Sequence, residues 1–386
     1  MGKNKNGDND RREFLRSGVT LGAIALGAGS FPWAAMAQGE QLVPFTDVPS
    51  SWNPGPRRPG GVHVTDTRNI RNFHSEDFYV VQHYGQPELD PGEYSLRVSG
   101  LVDRPRDYSL SELQRRPSIE QDIGFECGGN RDQIYHGLVG NARWRGISLA
   151  DLLEESGVQS AGREVVFFGA DIGTEEIRGR SVEQAFARSL PIDVALGEHN
   201  MLAFEMNGSP LPVHHGKPLR LIVPGHYGVA NVKWLTHIHV QDTRYMGRFM
   251  GRDYVTLKHE NVGGVDRWME NSVARMNLKS VIVRVVRRGN MHRVSGFVLN
   301  DGTPLQSVEV RVDDGPWQEA RIDPQSSAYS WKLFHYDWED ASAGEHTIVS
   351  RATDRNGHVQ PTADEVPEKV SNWENFAQFP RRIEIS

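Results

Sequence analysis

The sequence predicts an α+β protein in two parts: a mixed region of short strands and short helices, followed by an all-strand region. Between residues 78 and 240, apolar runs of strand type alternate with stretches at helical spacing that carry their own start and stop signals. After residues 255–280 the helical spacings vanish, and alternating strands recur with turn residues between them. The length of 386 residues, with 38% hydrophobic and 24% charged side chains, suits a globular chain of about two domains.

The elements follow in order. Residues 1–37 carry Arg11-Arg12 ahead of a mild apolar stretch, Gly18 to Gly27, and then Ala35-Met36-Ala37. This reads as a twin-arginine export signal, a route for proteins folded before export, and predicts a periplasmic location. The stretch is short, rich in Gly and Ala, and broken by Pro32, so no stable membrane anchor is expected. Residues 38–75 read as an extended arm over the body. Phe78–Val81 and Tyr94–Val98 read as strands. Ser109 and Glu112 have capping-box spacing and open a helix. Ile147 to Glu155 is helical and stops at Gly157, Glu164–Phe168 is a buried strand, and Ser181 to Leu190 has amphipathic helical spacing. Strands follow at Met201–Glu205, Leu219–Val223 and Val232–Val240.

Strands are then expected at Ser280–Val286, Arg293–Leu299, Val308–Val312, Tyr329–Leu333, His346–Ala352 and Arg382–Ile385. The turn signals between them are Asn300-Asp301-Gly302, Asp314-Gly315-Pro316 and Asn356-Gly357. Six or seven short strands over 261–386 predict an immunoglobulin-like β-sandwich, read as a packing or dimerisation domain. The mixed region then spans 38–260. The net charge is −7. Residues 1–37 hold five basic and three acidic groups, so the remainder carries −9. Such a chain is not steered to nucleic acid and suits a basic redox partner.

Cys127 is the only cysteine. It is either a small buried hydrophobe or a working thiol. Gly128 and Gly129 leave room beside the sulfur, while Asn130 and Arg131 add an amide and a fixed cation. Downstream, His214-His215-Gly216-Lys217-Pro218-Leu219-Arg220, Val223-Pro224-Gly225 and Val232-Lys233-Trp234 punctuate strands with turns and cations. His215, Arg220 and Lys233 are either ordinary turn and strand residues or a cradle for a phosphate-like group. One cysteine beside His214-His215 lacks the spacing of a tetrahedral zinc site.

These runs, in this order, resemble the sulfite oxidase family of molybdenum enzymes, including its exported bacterial sulfite dehydrogenases. The anchors are Cys127 to Arg131, Ala142-Arg143-Trp144, Glu205-Met206-Asn207-Gly208, His215-Gly216 with Arg220, Val223-Pro224-Gly225, Val232-Lys233-Trp234, and Arg351-Ala352 with Val359-Gln360-Pro361. The resemblance implies a molybdopterin domain, with molybdenum held by the Cys127 thiolate. It implies that His83, Asp171, His215, Arg220 and Lys233 grip the pterin and its phosphate. The implied catalytic set is Cys127, Trp144 as a pocket wall, Arg131, and Phe204 where a tyrosine usually stands. It also implies oxygen-atom transfer to a small sulfur compound, sulfite first, in a homodimer.

This chain departs from the family at Val81, Asp132 and Phe204, which stand where two arginines and a tyrosine are usual. A C-terminal arginine has no counterpart in Lys369 to Trp373. A sulfite pocket should offer guanidinium forks. Oxidation of sulfane sulfur, reduction of a sulfoxide or N-oxide, and a non-catalytic exported scaffold therefore stand as alternatives. With one cysteine the chain cannot attach a c-type haem or hold a four-cysteine cluster, so electrons are expected to pass to an external cytochrome c.

Overall fold

The computed structural model describes residues 39–55, 61–70 and 72–386. The twin-arginine segment lies outside the described residues. Two antiparallel-rich sheets build the mixed region. One orders Arg220–Ile222, Met201–Met206, Val139–Ser148 and Ile119–Glu126, all antiparallel. The other orders Arg106–Ser109, Ser95–Gly100, Leu235–Gln241, Glu164–Ile177 and Arg180–Pro191, with one parallel pair between Ser95–Gly100 and Leu235–Gln241. Two of the three helical signals hold locally. Ser109 and Glu112 cap helix Leu110–Gln114 reciprocally, and helix Leu149–Ser156 ends at left-handed Gly157.

The amphipathic stretch at Ser181–Leu190 is a strand and not a helix. Arg180–Pro191 pairs with Glu164–Ile177 at eleven positions, and residues 186–190 are buried without a break. A long ladder in a two-faced sheet overrides a weak helical period. Among the described residues Phe78–Val81 makes one bridge, Val80 to His63, and no ladder.

Downstream, two sheets pack face to face. One orders Lys279–Arg288, Met291–Leu299, Lys332–Glu339 and Arg321–Ile322, and the other Gln318–Glu319, Leu305–Val312, Gly344–Asp354 and Arg381–Ile385. Ile282, Val294 and Phe334 from the first meet Val310, Ile348 and Ile383 from the second in one core. The arm is tied to this sandwich: Gln41–Val43 adds an edge strand to Lys279–Arg288, and Phe45 enters the core. A boundary after residue 260 cuts a hairpin, Val255–Val262 with Val265–Ser272, and the first sandwich strand begins at Lys279. Among the described residues no helix is long and apolar enough to cross a membrane.

Candidate active site

Strand Ile119–Glu126 delivers Cys127 to the end of its sheet, where the chain must turn. Asn130 fixes that turn. Its side-chain amide donates to Glu126 Oε2 at 2.8 Å and to the His136 carbonyl at 3.1 Å, and its oxygen accepts from Leu138 N at 2.9 Å. A side chain on Gly128 would meet Val273, and one on Gly129 would meet the Trp373 ring at 3.0 Å, so both glycines are there for close approach. The thiol is left facing a pocket with about 590 Å³ of empty space, open mouth included.

The second sheet supplies the opposite wall through irregularities. Between Phe168 and Ile172 the ladder bulges, and Asp171 sits in the bulge. Any Cβ on Gly169 would fall 2.5 Å from Asp171 Oδ1 and 2.8 Å from the Lys233 carbonyl, so a glycine is required there. Lys233 and Trp234 precede Leu235–Gln241, which carries its own register shift. His215 ends a short turn closed by Gly216, at φ 103. The structure thus gathers His83, Cys127, Asp171, His215, Arg220 and Lys233 around one pocket.

Electrostatics there are unusual for a core. Burial pushes the Cys127 thiol up to about 11, so the protein alone keeps it protonated. Burial lowers Lys233 to about 7 and Arg220 to about 10, and raises Asp171 to about 6. Arg220 donates to the carbonyls of His215 at 3.0 Å and Asn231 at 3.1 Å and lies 4.9 Å over the Trp144 ring. Lys233 Nζ donates to the His214 carbonyl at 3.0 Å. Burial also drops His83 to about 4, so its ring is neutral and shares a hydrogen bond with the Tyr254 hydroxyl at 2.9 Å.

Three expected residues lie elsewhere. Trp144 is fully buried behind Phe125, with its Nε1 donating to the Ile123 carbonyl at 3.1 Å, so it supports the wall without being one. Phe204 is buried outside the lining, near Arg145. Arg131 is exposed and begins the next turn. Asp132 faces away too, beside His136 and Asn375. A hydroxyl in the pocket comes instead from Tyr254, which lines it together with Cys127 and stacks on Trp373 at 4.3 Å. No periodic pattern marks Tyr254, which stands between the strand blocks. Lys279 was also missed: it pairs with buried Glu126 at 2.5 Å, directly behind Cys127. A lysine opening the apolar run Val281-Ile282-Val283 was the available signal.

The donor set fits the implied cofactor. Asp171 Oδ1 and Arg220 Nε are buried without partners, as expected of groups shaped for a polar guest. Two cations and a neutral imidazole suit a phosphate and a pterin rim, and the thiol suits a soft metal. Among the described residues no three His, Cys, Asp or Glu side chains form a metal cluster, and Cys127 would be the sulfur ligand offered to a metal carried by the cofactor.

A family model described as the oxidoreductase molybdopterin binding domain matches residues 83–249, the span that holds His83, Cys127, Asp171, His215, Arg220 and Lys233. The chain is 30% identical over 317 residues to the sulfite oxidase of Gallus gallus, covering 74% of this chain and 67% of that one. It is 30% identical over 312 residues to the mitochondrial sulfite oxidase of Homo sapiens, and spans 56% of that relative's length. The sulfane dehydrogenase SoxCD from Paracoccus pantotrophus shares the fold, with a TM-score of 0.73 and 24% identity over 96% of this chain and 99% of that one. The chain belongs to the sulfite oxidase family, and it is an oxidoreductase whose cofactor is molybdopterin with molybdenum.

Proposed function

We propose that the protein is an exported, periplasmic oxidoreductase that transfers an oxygen atom to a small sulfur compound, sulfite first, and passes the electrons to an external cytochrome c. The observation that carries this reading is the single pocket with a thiol at one side and Arg220, Lys233, Asp171, His83 and His215 around the rest. The bound cofactor supplies two-electron chemistry and an exchangeable oxygen atom. The chain's own residues do the rest. Cys127 offers the sulfur ligand, Arg220 and Lys233 hold the phosphate, and Asp171 and His215 meet the pterin rim. Tyr254 holds a proton beside the thiol, backed by neutral His83. The strand order of the C-terminal sheets supports an immunoglobulin-like module, and we assign it to homodimerisation.

A second reading, oxidation of a sulfane sulfur, is favoured by the lining. Arg220 is its only arginine, Val81 is apolar, and Arg143 and Arg145 are paired to Asp122 and Glu205 outside it. A steady-state screen of the molybdenum-loaded protein with sulfite, thiosulfate, sulfoxides and N-oxides separates these readings. Turnover of sulfite with a KM in the micromolar range supports the first, and turnover of thiosulfate alone supports the second. No turnover of any sulfur compound by fully loaded protein sinks both.

A further inference from the structure

The hairpin Val255–Val262 and Val265–Ser272 grows directly out of the site. Tyr254 precedes its first strand, and Val273, which packs beside Gly128, follows its second. A third segment joins the hairpin's edge. His259 N–H donates to the Glu368 carbonyl at 2.8 Å, Val370 N–H donates to the Leu257 carbonyl at 3.0 Å, and Lys258 bridges Lys369. Register then sorts the side chains, because successive residues of a strand point to opposite faces. Leu257 opposes Glu270, His259 opposes Trp268 and Asn261 opposes Asp266, so these share one face. Glu368 and Val370 flank Lys369 and fall on the same face.

That face has an apolar centre of Leu257, Trp268 and Val370, with Trp268 45% and Val370 71% exposed. Asp266, Glu270 and Glu368 surround it. Lys258, Arg267 and Lys369 belong to the opposite face, which turns toward the site: Lys369 Nζ donates to the Trp373 and Glu374 carbonyls at 2.7 and 2.9 Å. Trp373 in turn stacks on Tyr254, which lines the pocket together with the thiol. A pair of stacked rings therefore separates the pocket from an acidic, apolar-centred platform.

We propose that this platform is the docking surface of a protein electron acceptor: a small one-electron carrier with a ring of lysines around its exposed prosthetic group. The proposal rests on the reading above that electrons leave to a separate carrier. Transient redox encounters use small interfaces and depend on opposite charge for steering, and three carboxylates around exposed apolar side chains meet that need. Each turnover adds an oxygen from water to the sulfur and releases two protons to solvent and two electrons. The oxidised carrier therefore docks twice, taking one electron each time.

The test is a binding titration of the full chain with ferric, basic cytochrome c at low and at physiological salt, alongside turnover with a small dye acceptor. The triple variant Asp266→Asn, Glu270→Gln, Glu368→Gln should bind about tenfold more weakly with a flatter salt dependence, and Trp268→Ala about threefold more weakly. Dye-linked sulfur oxidation should be unchanged in both. Asp266→Lys at the hairpin tip repeats the charge test should the triple variant melt early. Wild-type affinity and salt dependence in all variants overturn the proposal. So does a Trp268→Ala variant that sediments as a smaller species, which would assign the face to a second copy of the chain. Loss of dye-linked sulfur oxidation in the wild type would instead sink the functional reading, independently of binding.

Discussion

The seam between the mixed region and the sandwich buries charge in one way, and the pocket buries it in another. At the seam, Lys279 meets Glu126 at 2.5 Å and also donates to the Asn375 carbonyl at 2.9 Å. Arg381 meets Asp47 at 2.8 Å and lies over the Phe45 ring. Each cation has its carboxylate. In the pocket, Arg220 and Lys233 hydrogen-bond only carbonyls, and Asp171 keeps a buried oxygen without a partner. Complete pairing marks a charge that fastens the fold, and incomplete pairing marks one that waits for a guest. The two kinds meet within one residue of each other, at Glu126 and Cys127.

The largest effect expected separates chemistry from fold at that junction. Cys127→Ser should lower turnover by roughly a thousandfold or more, because hard oxygen replaces a soft sulfur ligand. Thermal stability should change little, since the two side chains are nearly equal in size. Activity near that of the wild type would show that the thiol is a bystander and would erase the distinction between pocket and seam.

Removing one partner from each region sharpens the comparison. Lys279→Met leaves Glu126 buried and unpaired, so unfolding in denaturant should show a loss of about 3–5 kcal/mol. Adding Glu126→Gln should restore much of it. Lys233→Met should not destabilise the cofactor-free chain, since it removes a buried cation whose charge the fold does not neutralise. Its defect should appear as poor retention of the pterin, measured as cofactor content after purification. A Lys233→Met protein that unfolds, beside a harmless Lys279→Met, would reverse the assignment of roles.

The pH dependence of the cofactor-free chain gives a smaller test. Asp171 titrates at about 6 when folded, against 3.8 for the ordinary side chain, chiefly through burial. Between those values the folded chain holds a proton that the unfolded chain has lost. Stability should therefore fall as pH rises from about 4 to 6, by on the order of 2–3 kcal/mol, and then level off. Asp171→Asn should flatten that slope in a series of urea melts. An unchanged slope in the variant would place the carboxylate in contact with solvent.

Much of this was legible because its signals are local. The loop at Cys127, the turns around Gly216 and Gly225 and the capping box at Ser109 each follow from a glycine, a proline or a cap. The gathering of His83, Asp171 and Lys233, far apart in sequence, came through resemblance, since no local rule joins them. What stayed hidden depends on which way a strand faces. Trp144 and Phe204 lie on strands next to the site, yet sequence distance does not say that both point behind it. Tyr254 has no periodic neighbourhood, and its place is set by Trp373 stacking on it from more than a hundred residues away. The strand at Arg180–Pro191 read as a helix because its apolar residues also fit a helical period, although its ladder partner Glu164–Ile177 stands just before it across the Arg178-Gly179 turn.

The smallest expected effect concerns a residue that sequence placed in the catalytic set. With phenylalanine at 204, the site looked short of one hydroxyl, so Phe204→Tyr would be the natural repair. The ring is 4% exposed, outside the pocket lining, and 5.7 Å from the Arg145 guanidinium. A hydroxyl added there gains no route to the substrate, and burying it without a partner costs about 1–2 kcal/mol. Sulfur turnover by the loaded enzyme should stay within about twofold of wild type, while the melting temperature drops by a few degrees. Tyr254→Phe supplies the contrast, because it removes the hydroxyl that shares a hydrogen bond with His83 inside the pocket. If Phe204→Tyr raised sulfite turnover tenfold and Tyr254→Phe changed nothing, the reacting site would lie on the Arg145 side of the sheet, and the pocket at Cys127 would hold cofactor only.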